Sequence, residues 1–292
     1  MDQRPLIVSL SLVLLVALAA GVYLGMGARP NLGLDLQGGI SAVYSPQLPE
    51  GEEEPEDIDE ILDETIEVIR ERVDSLGVAE PEIARSGDDV QVQLPGIADA
   101  DRVQEIIGTT AQLSFRRVIE EIPPGSERHD EGPDCDAPVD EVEELADDDE
   151  GIICAAVEAD GAEDAEVEPT KFEVGPAELT GDHVEDASVQ VGQGQQQFQV
   201  GLDLDATGAE AFEQITSDLA CQRDQGREDR FAIVLDGRVE AAPGMNPGVA
   251  CDVGITDGRA SITTGAGDSR EEQEQEAADL ALVLRTGALP IT

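Results

Sequence analysis

Sixty-six carboxylates, two histidines and four cysteines are what this 292-residue chain offers for chemistry. Paired carboxylates perform general acid and base catalysis when their environments push them apart, yet with so many acids nothing in the spacing selects a pair. His129 lies in a long acidic stretch, and His183 follows Gly181-Asp182 with no G-x-S-x-G or other nucleophile motif nearby. The chain therefore reads as a protein without catalytic residues. Asp203-x-Asp205-x-Thr207-Gly208 matches the first half of an EF-hand calcium loop, but the twelfth position is Gln214 instead of a bidentate glutamate. A strand running into a capped helix is the better reading. Gly38-Gly39 lacks the rest of a phosphate loop and any nearby lysine, which leaves a bulge or close backbone approach.

The cysteines, Cys135, Cys154, Cys221 and Cys251, contain no C-x-x-C, and the histidines are far apart in sequence, so no zinc site is expected. An even set allows three disulfide pairings. Cys135–Cys154 and Cys221–Cys251 are favoured because each closes a local loop. The run Asp147-Asp148-Asp149-Glu150 can collect cations loosely, but reads better as a solvated loop. No metal and no cofactor is expected.

The elements that must position these residues follow from periodicity. Asn31–Tyr44 alternates as a strand. Ile58, Ile61, Leu62, Ile66, Ile69, Val73 and Leu76 follow helical spacing, and Gly77 ends the run. Glu82–Arg85 and Val90–Leu94 are short strands, Asp99 caps a helix through Ile107, and Leu113 begins another strand. The order β-α-β-β-α-β is the split pattern of ferredoxin-like domains. Residues 121–168 hold 20 acids, one arginine and only 8 Leu, Ile, Val or Phe in 48 positions, a disordered composition. Order returns at Phe172: a strand at Phe198–Leu204, a helix from about Gly208 to Ala220, a hairpin around Asp236-Gly237, and a helix over Glu271–Arg285 with Gly287 at its end.

Charge excludes other functions. The formal net charge is −49, and Lys171 is the sole lysine. A nucleic-acid surface needs Lys and Arg in excess, and so does docking on anionic lipid. Outside residues 6–28, 63 of 269 residues are Leu, Ile, Val or Phe, about 23%, enough for a folded domain. Such self-repulsion is tolerable at molar salt, where the Debye length is about 3 Å. The composition suggests a halophile. Leu6–Ala28 carries no charge and as a helix spans about 34 Å. Its apolar character continues past the small residues Ala17-Leu18-Ala19, so it reads as an uncleaved anchor instead of a signal peptide. Only five residues precede it, which places residues 30–292 outside the cytoplasm.

Four motifs then carry a resemblance. Leu32-Gly33-Leu34-Asp35-Leu36-Gln37-Gly38-Gly39 resembles the signature after the first membrane helix of the SecD family. Leu179–Ala187, Ala232–Val239 with Ala242-Pro243, and Ala278–Ala281 with Leu284–Pro290 are similar to further family motifs in the same order. Among these residues Leu34, Asp35, Gly38, Gly39, Asp236, Gly237, Arg285, Gly287 and Pro290 are taken as the family's structural and functional positions. The resemblance implies an α+β fold: an anchor (1–29), a ferredoxin-like base (30–120, returning at 266–292) and an inserted head (121–265) containing the disordered acidic insertion 121–168. It implies an accessory subunit that works with a SecF-like subunit at the Sec protein-conducting channel in the plasma membrane. Its head would hold unfolded exported polypeptides, and proton coupling would reside in later membrane helices. Gln37 stands where many relatives carry arginine. Exposed apolar groups would bind the client, and Phe172, Phe198 and Phe231 are the candidates, although each fits a core equally well. A hinge is expected near Ile119–Pro124 and Gly265–Gly267. The alternative reading is an anchored extracellular binding or structural module, with cations as its ligand.

Overall fold

The computed structural model describes residues 13–15, 18, 38–45, 58–78, 81–97, 99–135, 145–156, 169–192, 197–263 and 269–289. The anchor read at Leu6–Ala28 lies almost wholly outside them. Val13, Leu14, Leu15 and Leu18 are helical and exposed. Among the described residues no helix is long and apolar enough to cross a membrane.

The first unit is built from β1 (Gly39–Tyr44), α1 (Ile58–Ser75), β2 (Glu82–Ser86), β3 (Asp89–Pro95) and α2 (Ala100–Gly108). The three strands form an antiparallel sheet in the order β1-β3-β2. Alternation along β3 sends Val90, Val92 and Leu94 to one face, where Leu62, Ile69 and Val73 of α1 and Val103 and Ile107 of α2 cover them. Asp99 caps α2 by accepting from the Arg102 N–H at 3.3 Å.

The next strand, β4 (Leu113–Ile122), departs from the β-α-β-β-α-β order expected for a single sheet. It does not join the first sheet. It lies in a five-stranded antiparallel sheet with β5 (Gly151–Cys154), β6 (Lys171–Thr180), β9 (Phe231–Leu235) and β10 (Arg238–Ala241), in the order β10-β9-β4-β6-β5. The boundary expected at residue 120 therefore falls inside a continuous strand. The hinge expected at Ile119–Pro124 is largely strand too, since Glu120, Glu121 and Ile122 pair with Glu173, Phe172 and Lys171. Ala155 bridges Val239 and the Ala156 N–H donates to the Val239 carbonyl at 2.9 Å, so the outer strands meet and the sheet curls toward a closed barrel. Val118, Ile153, Phe172, Val174, Ala232, Val234 and Val239 fill its inside.

The described parts of 121–168 are packed, not disordered. Ile122, Cys135, Ile153 and Cys154 are buried, and Cys135 is bonded to Cys154. Average composition misses this because a few apolar residues, one disulfide and two buried cations hold the segment. Lys171 donates to the carbonyls of His129 at 2.8 Å and Glu131 at 3.0 Å. Arg116 is 2% exposed and donates to the carbonyls of Leu145, Ala146, Asp149 and Gly175 and to the Ser114 hydroxyl.

A 3-10 turn (Gly181–His183) leads to β7 (Val184–Val191), which pairs with β8 (Phe198–Leu204), and β11 (Arg259–Thr263) completes a third sheet in the order β11-β8-β7. Helices α3 (Ala206–Asp224) and α4 (Arg270–Thr286) close the shared core. There Phe115, Phe212 and Phe231 meet with ring centroids 6.0–6.1 Å apart. Ser269 and Glu272 form a reciprocal capping box on α4. The overall architecture is mixed α and β, as expected.

Candidate functional site

Among the described residues, polar groups from three parts of the fold converge at the joint where the first unit meets the five-stranded sheet and α4. Its centre is Arg72, fully buried on α1. Its Nε donates to Thr286 Oγ1 at 3.1 Å. Nη1 donates to the carbonyls of Ile106 at 3.0 Å, Ile107 at 3.2 Å and Thr109 at 2.5 Å. Nη2 donates to the Gly287 carbonyl at 2.8 Å. One planar guanidinium thus caps the C-terminal ends of both α2 and α4, where unpaired carbonyls concentrate negative partial charge. Burial pushes the Arg72 pKa down to about 10, while Asp236 and Tyr44 oppose the shift. The same burial raises Tyr44, against the pull of Arg72.

The α2–β4 loop, Thr109–Gln112, is held from three sides. Ala111 adopts a positive φ of 60° within it. Asp236, at the tip of the β9–β10 hairpin, accepts from Thr110 Oγ1 at 2.5 Å and the Gln112 N–H at 2.9 Å. The Leu289 N–H donates to the Thr110 carbonyl at 2.8 Å. Asp236 and Gly237 have φ of 47° and 75°, the double left-handed geometry of a tight hairpin, and Gly287 leaves α4 at φ 82°. A second clamp joins α2 to α4: Arg102 makes a two-pronged pair with Asp279 at 2.8 and 2.5 Å. Beside the loop opens a cleft of about 300 Å³, lined among others by Gln112, Arg116, Asp147, Asp182, Gly237 and Leu289.

The residues singled out from sequence divide accordingly. Asp236, Gly237 and Gly287 are brought together at the joint. Gly38 and Gly39 open β1, where the Gly96 N–H donates to the Gly38 carbonyl at 2.9 Å, and φ of 73° and 142° need glycine. Arg285 is exposed. Leu34, Asp35, Pro290 and the Gly265–Gly267 hinge lie outside the described residues. Phe172, Phe198 and Phe231 are corrected as client-binding candidates: all three are buried, on the inner faces of their strands. The large apolar side chains that remain open in the described part of 38–289 are Val43, Ile119, Val189, Val191 and Val253. The central residue, Arg72, was missed. An arginine in the amphipathic run of a helix looks like a surface residue, and its spacing from Val73 and Ile69 was the available signal.

The half EF-hand is engaged otherwise. Asp203 pairs with Arg259 at 2.8 Å. Asp205 caps α3 by accepting from the Gly208 N–H at 2.6 Å and approaches His183 Nδ1 at 3.1 Å. The Gly208 bond, then His183, holds its carboxyl below the usual range. Cys221 is bonded to Cys251. With Asp252 they form the one metal-like cluster among the described residues, and its sulfurs are tied up in the disulfide.

Comparison with known proteins fits this geometry. Residues 62–120 match the family described as protein translocase subunit SecDF, P1 domain, N-terminal, and residues 159–291 match SecDF, P1 head subdomain. Protein translocase subunit SecD of Syntrophobacter fumaroxidans is 34% identical over 226 residues, 77% of this chain and 36% of the relative. That of Dictyoglomus turgidum is 30% identical over 292 residues, the whole chain and 53% of the relative. The crystal structure of SecDF in a super-membrane-facing form superposes with a TM-score of 0.58 at 29% identity, over 99% of this chain and 34% of that one. A structure titled as a membrane component SecDF that enhances protein export gives 0.56 at 28% identity, over 86% and 96%. The chain spans about a third to three-fifths of the curated relatives' length.

Proposed function

The chain belongs to the SecD family of protein-translocase subunits, and we propose that it serves as the extracytoplasmic P1 portion of such a subunit, helping to complete export of unfolded polypeptides. The observation that carries this reading is the order of the two family matches on one structure. The first covers most of α1 through β4, the second covers β6, β9 and β10 of the barrel-like sheet, the third sheet and α4, and the Arg72 joint welds them. The barrel and third sheet act as the head. The first unit acts as the base, a ferredoxin-like one whose β1-α1-β2 half, split by β3, supports that description.

In this reading Leu6–Ala28 anchors the chain in the plasma membrane with residues 30–292 outside. The partners are a SecF-like subunit, the Sec channel and the exported chain. The protein is not an enzyme, and proton coupling belongs to membrane helices of the longer relatives. The experiment is a stalled secretory precursor challenged with photo-crosslinking probes at the open positions Ile119, Val189 and Val253. Capture at one or more is expected. A probe set spread over the head that never captures the precursor refutes the holding role.

A further inference from the structure

The longest uncharged run outside the anchor is Ala187–Leu202, sixteen residues with six glutamines, in a chain that is 28% charged. Its described residues form most of β7 and β8. Among the described residues β7 is an outer strand: it pairs with β8 on one side and with no strand on the other. Outer strands invite pairing with a further strand, and proteins usually blunt them with charge or by closure. Elsewhere in this molecule that is done. β10 and β5 meet each other, β2 carries Glu82 and Arg85, and β11 carries Arg259. β1 also lacks charge, but its inward Ile40 and Ala42 are covered by the base helices.

β7 carries Glu185 and Asp186 in its first half, but its second half, Ala187–Val191, has neither device. Ala187, Val189 and Val191 face the same side as Leu202, Val200 and Phe198 of β8. Ala187 is buried, but Val189 and Val191 are 37% and 54% exposed. The opposite face is neutral too: Ser188, Gln190, Gln199, Ser261 and Thr263, with Gln199 Nε2 donating to Thr263 Oγ1 at 3.3 Å. Arg270, whose guanidinium lies 5.1 Å over the Phe198 ring, is the charge nearest the valines, and Arg259 pairs with Asp203 further along the other face. A backbone edge with no strand partner and two open valines beside it describe a strand-addition site.

Resting on the export reading, we propose that the β7 edge, Ser188–Val191, takes an extended, uncharged segment of the exported polypeptide as an added strand. Backbone bonds to the edge supply sequence tolerance, and alternate side chains of the guest pack on Val189 and Val191. Short of molar salt a second copy of this chain is disfavoured as the occupant, since each copy brings a net charge of −49.

The test uses the full chain and a fluorescent peptide of alternating valine and threonine, read by anisotropy. A second peptide is N-methylated at alternate residues so that it keeps its side chains but cannot complete the ladder. Expected results are binding of the first, at least tenfold weaker binding of the second, and at least tenfold loss in Val189→Glu and Val191→Glu, with circular dichroism and melting unchanged. Equal binding of the methylated peptide overturns the proposal, as does full affinity in the glutamate variants. A dimer that dissolves on Val191→Glu overturns it in favour of self-pairing. A precursor that crosslinks at Ile119 or Val253 but never at Ser188–Val191 sinks the edge while the holding role stands.

Discussion

Arg72→Met is the substitution that most directly tests how base and head are joined. The guanidinium makes five hydrogen bonds, one to a hydroxyl and four to carbonyls. At the low end for a charged donor, about 1.5 kcal/mol each, they contribute about 7 kcal/mol. Burial of the charge opposes them. Its pKa falls from 12.5 to about 10, and at 1.36 kcal/mol per unit the charged form is penalised by about 3 kcal/mol net of the pull of Asp236 and Tyr44. Methionine removes both, for a net loss of about 4 kcal/mol, in the range seen when a buried charge network is broken. For a domain of this size that is a fall in melting temperature of about 8–16 °C.

The sign with pH is defined. A cation whose folded pKa is lowered is charged in both states below about pH 10, so its burial cost is constant at neutral pH and relieved only as pH rises from about 10 toward 12.5. A melt at pH 7 is therefore a clean assay, with amide exchange at Leu289 reporting whether the joint opens first. Arg72→Lys should not rescue. A single ammonium keeps the desolvation cost yet cannot serve the ends of α2 and α4 together. A loss under about 1 kcal/mol for methionine, or full rescue by lysine, refutes the reasoning.

The remaining predictions are briefer. Replacing Cys221 and Cys251 by serine opens a loop with a sequence separation of 30, worth about 3.5 kcal/mol of denatured-state entropy, and an unchanged urea midpoint contradicts that. The cap bonds that lower Asp205 stabilise α3 above the ordinary carboxylate range and are lost as pH falls through the lowered value. Carboxyl NMR should show Asp205 titrating below its neighbours, and Gly208 amide protection should fall with it; an ordinary titration point defeats this. Structure should be lost as salt is lowered from molar to dilute, and identical circular dichroism at both ends refutes the halophile reading.

Legibility in the sequence followed locality. Elements with a complete local signal were read nearly to the residue. Ile58–Ser75 has its apolar stripe, Ala100–Gly108 its Asp99 cap, and the β9–β10 hairpin its Asp236-Gly237 turn. What failed was decided by distant partners. β4 looks like the last strand of the base, but its bulged pairing with β6 and β9 takes it into another sheet. Gly151–Cys154 was lost in the average of an acidic stretch, although Ile153 and Cys154 are buried against β6. At the joint, Asp236 and Gly287 were visible as turn and cap residues. Their convergence on Arg72 was not, because sequence separations of more than 200 residues connect α1 to Thr286 and Gly287.

The acid excess and the buried cations belong to one physical arrangement. Half-buried arginines take carboxylates: Arg128 contacts Glu120, Glu131 and Glu173, and Arg230 contacts Glu121 and Glu228. Arg72, Arg116 and Lys171, which fix the architecture, draw mainly on backbone carbonyls instead. Exposed pairs weaken as salt rises, whereas buried pairs of a cation with carbonyl dipoles are screened far less. On the halophile reading a surface at −49 needs salt to suppress its repulsion, and bonds at the Arg72 joint are of the kind salt weakens little. The proposed client edge of β7 follows the same logic, since backbone bonds and apolar contact do not rely on Coulomb attraction that the same salt would remove.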